Sequence, residues 1–257
     1  MRLVTYDRGG LRRLGAILEG EVVDLPDAVG HPAFPTTLEG LVSSSRGTVL
    51  DAARTALERD DVFEWKVSRP RILTPLFPSS LLSPGSMDVE RRLIGPEQDV
   101  PWPAGAAWLA YEPKVAAVLG LETSPSDPFH RDRHTFGYTL VSDWVARDAS
   151  GAPVSSAEGV PIAIGPCVVT ADEVDPQIMY LQVRVDGDEV AKGNLNGRAT
   201  SLFSAIEEAS RTAPLGRGDA IALNPFIERG WDLWPGALVE LGAEGIGTLR
   251  NRVSDGR

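Results

Sequence analysis

The sequence predicts an α+β protein, mainly β, made of a small N-terminal unit and a larger C-terminal one. Three observations predict it. The first 25 residues alternate short apolar runs with glycine turns, a helix pattern follows, and from Ile72 onward the signals are mainly β. The small unit ends near Ser68-Arg69-Pro70, which gives domains of residues 1–70 and 71–257.

In order along the chain, Leu3, Val4 and Tyr6 form a strand that turns at Gly9-Gly10. Leu14 to Leu18 returns to a second turn at Glu19-Gly20, and Val22 to Leu25 makes a third short strand. Arg46 to Arg59 is expected as a helix, because Val49, Ala53 and Ala56, with Leu50 and Leu57, recur at three- and four-residue spacing. Pro96 to Gly105 and Leu121 to Arg133 are expected as loops from their proline and charge content. Tyr180 to Asp186 sets Leu181, Val183 and Val185 against Gln182, Arg184 and Asp186, the pattern of a half-buried strand, and Asp186-Gly187 is a turn. Ser201 to Arg211 has Leu202, Ala205, Ile206 and Ala209 on one helical face. Ala220 to Leu223 is a strand, and Leu238 to Val253 reads as two or three more, punctuated by Gly242, Gly245 and Gly247.

Composition narrows the function classes. The 257 residues are 42% hydrophobic and 24% charged, which is ordinary for a globular chain. A net charge of −11 repels phosphate backbones and anionic lipid headgroups, so neither nucleic acid nor a membrane is expected as a partner. No apolar run approaches the roughly 18 residues of a membrane span, and Met1 to Asp7 lacks the apolar core of a secretory signal. A single cysteine, Cys167, cannot form a disulfide within the chain, which fits a reducing, cytoplasmic setting. Its apolar surroundings, Gly165 to Val169, read as core rather than as a nucleophile's setting. There is no Gly-rich phosphate loop, Cys/His zinc spacing or Gly-x-Ser-x-Gly elbow.

Five stretches in order, Tyr111–Gly120, Gly137–Asp148, Ile164–Thr170, Pro214–Asp219 and Gly245–Asn251, resemble the fumarylacetoacetate hydrolase family over residues 71 to 253. The N-terminal unit resembles the small domain that precedes the catalytic fold in many members. The resemblance implies a mixed β-sandwich-like C-terminal domain and a homodimer. It also implies a Mg²⁺ or Mn²⁺ site serving C–C hydrolysis, decarboxylation or isomerisation of small oxo acids through an enolate.

In that family a Glu-X-Glu pair and an aspartate hold the metal. Residues at i and i+2 of a strand share a face, so both glutamates reach one cation. Here Glu112 matches the first glutamate and Asp143 the aspartate, but Lys114 replaces the second glutamate. A protonated amine cannot ligate a metal, so the expected cofactor is none, or weakly bound Mg²⁺ or Mn²⁺ on Glu112 and Asp143. The family's His-x-x-Glu lid segment falls on Ser83 to Arg92, which has no histidine, and its Thr-Gly-Thr-Pro turn reads Ala222-Leu223-Asn224-Pro225. A lysine often found upstream of the Gly-Pro motif is also missing from Val154 to Gly159.

The expected catalytic set is Lys114, Glu112 and Asp143. The expected substrate contacts are Arg147, as a carboxylate clamp, with Tyr138, Asn196, Arg198 and Asn224. Lys114 has two readings: a structural ion pair with Glu112 and Asp143, or a fixed cation that stabilises an enolate or carboxylate in the metal's place. His31, next to Pro32, reads as a surface-turn residue, and His130 and His134 lie in a charged run that reads as a solvated loop. The expected function is an enzyme acting on a small anionic oxo acid or β-dicarbonyl compound by C–C hydrolysis, decarboxylation, or a diverged lyase, isomerase or dehydratase step. The alternative is a non-catalytic homologue that keeps the fold for binding or assembly, its cleft filled by side chains such as Trp108 or Trp144.

Overall fold

The structure is a computed structural model that describes residues 1–44, 47–83, 92–123, 129–154, 160–196, 201–225 and 231–255. The first strands are β1 (Arg2–Arg8), β2 (Leu11–Leu18) and β3 (Glu21–Asp24), followed by helices α1 (Leu25–Val29), α2 (Leu38–Ser43) and α3 (Thr48–Leu57) and a 3₁₀ turn at Val62–Trp65. Two short strands, β4 (Leu81–Leu82) and β5 (Leu93–Ile94), lead to the long β6 (Trp108–Leu119). Then come the one-turn α4 (Arg131–His134), the similarly long β7 (Thr135–Arg147), β8 (Ile162–Thr170), β9 (Leu181–Val185) and β10 (Asp188–Gly193). The chain continues through α5 (Leu202–Thr212), β11 (Ala220–Leu223), β12 (Trp231–Leu233), β13 (Leu238–Ala243) and β14 (Gly247–Arg252).

Most strands join one sheet in the order β3-β2-β1-β8-β7-β6-β11-β4, with β12 added on β6 and β5 on β8. A second sheet runs β10-β9-β13-β14. This is the mainly β, α+β fold that the sequence predicts. The N-terminal strands belong to the large sheet, since Arg2 and Leu3 of β1 pair with Val169 and Val168 of β8. The sheet therefore runs across the boundary expected near residue 70.

Two cores form on opposite faces of that sheet. On one face Leu109, Tyr111, Val115, Leu140 and Trp144 pack with Leu181, Val183, Val239, Leu241 and Leu249 of the small sheet. That is a sandwich driven by apolar burial. On the other face Ala116, Val118 and Val141 pack with Leu38, Leu41 and Val42 of α2 and Ala53 of α3. The helix expected at 46–59 is α3, and the one at 201–211 is α5.

The start of α1 is tied to the hairpin by charge. Asp24 caps the helix by accepting from the Asp27 backbone N–H at 2.9 Å. The same carboxylate accepts from the Tyr6 hydroxyl, from Arg8 at 2.6 Å and from both Nε and Nη2 of Arg13 at 2.9 and 3.1 Å.

Candidate active site

The longest strand pair positions the site. β6 and β7 run antiparallel in register from Trp108 opposite Arg147 to Val118 opposite Gly137, so even-numbered residues of β6 share a face with odd-numbered residues of β7. That face begins half-buried at Trp108, Ala110 and Glu112 and becomes closed from Lys114 onward, where the α2 and α3 core covers it. Glu112 and Lys114 sit at this border.

Glu112 and Asp143 are directly opposed across the two strands. Like charges so placed repel, and Lys114, one pleat repeat further on, supplies the compensating cation. Its Nζ lies 2.8 Å from Asp143 Oδ2 and 3.4 Å from Glu112 Oε2. The Lys114 side chain is 5% exposed and that of Asp143 10%, whereas Glu112 is 41% exposed. The pair Lys114–Asp143 is thus an enclosed, charge-assisted hydrogen bond, and Glu112 is the member that reaches solvent.

Pro113 fits because β6 has only one neighbour there. β12 pairs with Leu109 to Tyr111 and β11 with Val115 to Val118, so among the described residues 112–114 have a strand partner on the β7 side alone. A residue without an N–H is tolerated at such a local edge. Asn224 follows Leu223, which pairs with Val115, so it stands level with Lys114 on the adjacent chain segment.

The remaining candidates lie elsewhere. Tyr138 is fully buried on the opposite face of β7, in the sandwich core. Arg147 shares the face of Asp143 but lies four residues along, roughly 13 Å for an extended strand, and its Nη1 donates to the Gly151 carbonyl at 2.9 Å. Asn196 is exposed, and its backbone N–H bonds to Asn194 Oδ1 at 3.0 Å in a local turn. Arg198 lies outside the described residues, as do most of the segments aligned with the family's lid and lysine, 84–91 and 155–159.

The reading of His134 as solvated needs correction. The residue is fully buried at the end of α4, its ring 6.0 Å from those of Phe129 and His130, and its Nδ1 accepts from the His130 backbone N–H at 2.9 Å. His130 itself is exposed, as expected. Trp144 does not fill the site either. It is buried on the far face against Tyr111, ring centroids 5.9 Å apart, and the Tyr111 hydroxyl lies 3.0 Å from Ser142 Oγ. Burial raises the Tyr111 pKa well above the usual phenol range. Sequence reasoning passed over this Tyr111–Ser142 pair, whose only signal was a polar group at a core-facing position of each strand, odd-numbered in β6 and even-numbered in β7.

The donor set does not fit a divalent ion. Two carboxylates converge, but an ammonium occupies the space between them, and among the described residues no group of three or more His, Cys, Asp or Glu side chains could hold a metal.

The model of the fumarylacetoacetate (FAA) hydrolase C-terminal domain matches residues 60–254. The chain belongs to the fumarylacetoacetate hydrolase family. Its fold matches the fumarylacetoacetate hydrolase of Exiguobacterium antarcticum, with a TM-score of 0.77 at 20% identity and 99% of each chain covered. It also matches the maleylpyruvate hydrolase of Sphingobium sp. SYK-6 in complex with manganese(II) and pyruvate, at TM-score 0.78, 23% identity and 100% of both chains. Among curated relatives, a protein of Burkholderia lata is 27% identical over 178 residues, 64% of this chain and 63% of that protein. Oxaloacetate tautomerase YisK of Bacillus subtilis is 26% identical over 156 residues, 56% of this chain and 52% of YisK. The matched segments thus span between about half and two thirds of these relatives. Among the described residues, no helix is long and apolar enough to cross a membrane.

Proposed function

We propose that this family member is an enzyme acting on a small oxo acid or β-dicarbonyl compound through an enolate-like intermediate, with the Lys114 ammonium in place of the divalent cation. The observation that carries this reading is a charge equality at an enclosed site. Three carboxylates and a divalent ion leave one net negative charge. Glu112, Asp143 and Lys114 leave the same, with Nζ held 2.8 Å from Asp143 and 3.4 Å from Glu112. A fixed cation at the end of a buried stem is the type of group that stabilises developing oxyanion charge without reorganising.

The three side chains divide the work by exposure. Asp143 positions the ammonium. Glu112, the solvent-reaching carboxylate, takes a proton from the carbon next to the substrate carbonyl. The C–H electron pair moves into the carbon–carbon bond, the carbonyl π pair moves to oxygen, and Lys114 donates an N–H to that oxygen. Returning the proton at a different carbon of an extended enolate gives isomerisation, and returning it at the oxygen gives keto–enol tautomerisation. Decarboxylation and C–C hydrolysis use the same oxyanion site, the first releasing CO₂ to form the enolate and the second consuming water.

A second reading has its own support. The ammonium already has two carboxylate partners, so a non-catalytic homologue would also keep it. Turnover of oxaloacetate and of acylpyruvates, with a chelator present, separates the two. We expect activity in the natural protein and a loss of about 10²-fold or more in Lys114→Met. No turnover of any of these compounds, or an unchanged turnover number in Lys114→Met, would retire the catalytic role.

A further inference from the structure

We infer that the substrate carries an uncharged apolar group, preferably aromatic, beyond its reacting carbonyl, and that Trp108, Ala110 and Val145 seat it. The inference narrows the functional reading above and rests on it.

Three apolar residues beside the site belong to no core. Trp108, Ala110 and Val145 are half-buried, yet among the described residues none of them builds or packs against an apolar cluster. All three lie on the face that carries Glu112, Lys114 and Asp143. Ala110 is paired directly with Val145, and Trp108 precedes Ala110 by one pleat repeat. In the other direction along this face, Ala116 and Val118 are closed off by α2 and α3. The apolar strip therefore starts at the charged trio and runs along the half-exposed side of it. Adjoining apolar side chains left at a surface mark a contact site more often than isolated ones do.

Strand spacing sets what reaches the strip. Same-face neighbours are about 7 Å apart, so Ala110 stands one such step from Glu112, and Trp108 roughly 13 Å from it. The Lys114 Nζ is 3.4 Å from Glu112 Oε2. A carbonyl oxygen held by that ammonium places the next few carbons of its own molecule over Ala110. Ala110 adds only a methyl group between the Glu112 carboxylate and the Trp108 indole, and an aromatic ring lying there meets the indole in a favourable ring contact. A tail ending in a carboxylate is disfavoured. Asp232 is paired with Ala110 from β12 and is exposed, and Glu112 and Asp143 bound the strip at its inner end. Arg147, opposite Trp108, has its Nη1 on the Gly151 carbonyl.

The test compares benzoylpyruvate, acetylpyruvate and oxaloacetate as substrates of the full chain. Loss of the ultraviolet absorbance of their enols registers ketonisation, hydrolysis and decarboxylation alike. We expect a KM for benzoylpyruvate at least about tenfold below that for acetylpyruvate, because a phenyl group buries far more apolar surface than a methyl group. Trp108→Ala should narrow that gap by about tenfold. Where Trp108→Ala fails to fold, Ala110→Leu, which fills the place of the ring, should narrow it as well. A smaller gap in the natural protein, or a gap that survives the substitution, would overturn the inference and leave the functional reading standing. A change of mass in light scattering for Trp108→Ala, with the gap intact, would assign the strip to contact with a second copy of the chain and overturn it too. Turnover of oxaloacetate alone would likewise remove only the apolar tail, whereas turnover of none of the three would overturn the functional reading and this inference with it.

Discussion

Lys114 Nζ sits 2.8 Å from Asp143 Oδ2, inside the strand pair, with both side chains at most one-tenth exposed. In the proposed function this contact puts a covalently attached cation in the place of an ion. It also fixes the cost of removing either partner, because a carboxylate left alone at such a site has lost its water without gaining a counter-charge. The activity test of Lys114→Met therefore has a stability companion, a loss of roughly 2–4 kcal/mol in urea unfolding. Lys114→Arg should retain much of that stability but recover the rate only in part, since a planar fork places its charge differently from a point-like ammonium.

Arg147 gives a sharper contrast with what the motif implies. Its guanidinium holds the Gly151 carbonyl in the β7–β8 connection. Asp148 beside it accepts from the Ser150 hydroxyl and backbone N–H and from the Ala152 N–H. Arg147→Gln is expected to lower stability by about 1 kcal/mol and to leave KM within about twofold. A tenfold rise in KM at unchanged melting temperature would instead support the clamp role.

The Asp24 cluster predicts an acid-sensitive hairpin. Burial works against the Asp24 carboxylate, but hydrogen bonds from Arg13, Tyr6 and the Asp27 N–H outweigh it and hold the pKa below the usual carboxylate range. A carboxyl with a depressed folded pKa contributes stability above its unfolded value, near 3.9, and loses that contribution as pH falls through the folded value. Asp24→Asn should cost roughly 2–4 kcal/mol at pH 7, and the gap to the natural protein should shrink below about pH 4. Urea unfolding at pH 7 and pH 3 measures both. A gap that stays constant would show that the charge of Asp24 is not what stabilises the hairpin.

Cys167 should be inert. It is fully buried, its Sγ lies 3.2 Å from the Ile246 carbonyl, and burial pushes the thiol up to about 11. Ellman's reagent at pH 8 should react at least about 10²-fold more slowly with native than with urea-unfolded protein. Equal rates would place the thiol at the surface.

Periodicity carried much of the fold, and particular residues mark where it stopped. The alternation from Tyr180 to Asp186 is β9, with Asp186 and Gly187 at φ 51° and 92° making the turn into β10. The spacing of Val49, Ala53 and Ala56 is α3, and Ala220 to Leu223 is β11. What the local pattern lacked was partner choice. Nothing near Arg2 or Leu3 indicates that they pair with residues 168 and 169. The same limit hid His134, because a charged run around it says nothing of the Phe129 ring that covers it. At the site, i and i+2 spacing placed Glu112 and Lys114 on one face. Only the β6–β7 register puts Asp143 opposite Glu112 and moves Tyr138 to the other side.

The most direct test of the account is manganese binding by the natural protein and by Lys114→Glu, followed by calorimetry after chelator treatment. The account predicts no saturable site in the natural protein, where an ammonium holds the position between Glu112 and Asp143. It predicts one Mn²⁺ per chain in Lys114→Glu, where three carboxylates would converge. Stoichiometric Mn²⁺ in the natural protein, lost in Glu112→Gln, would contradict it.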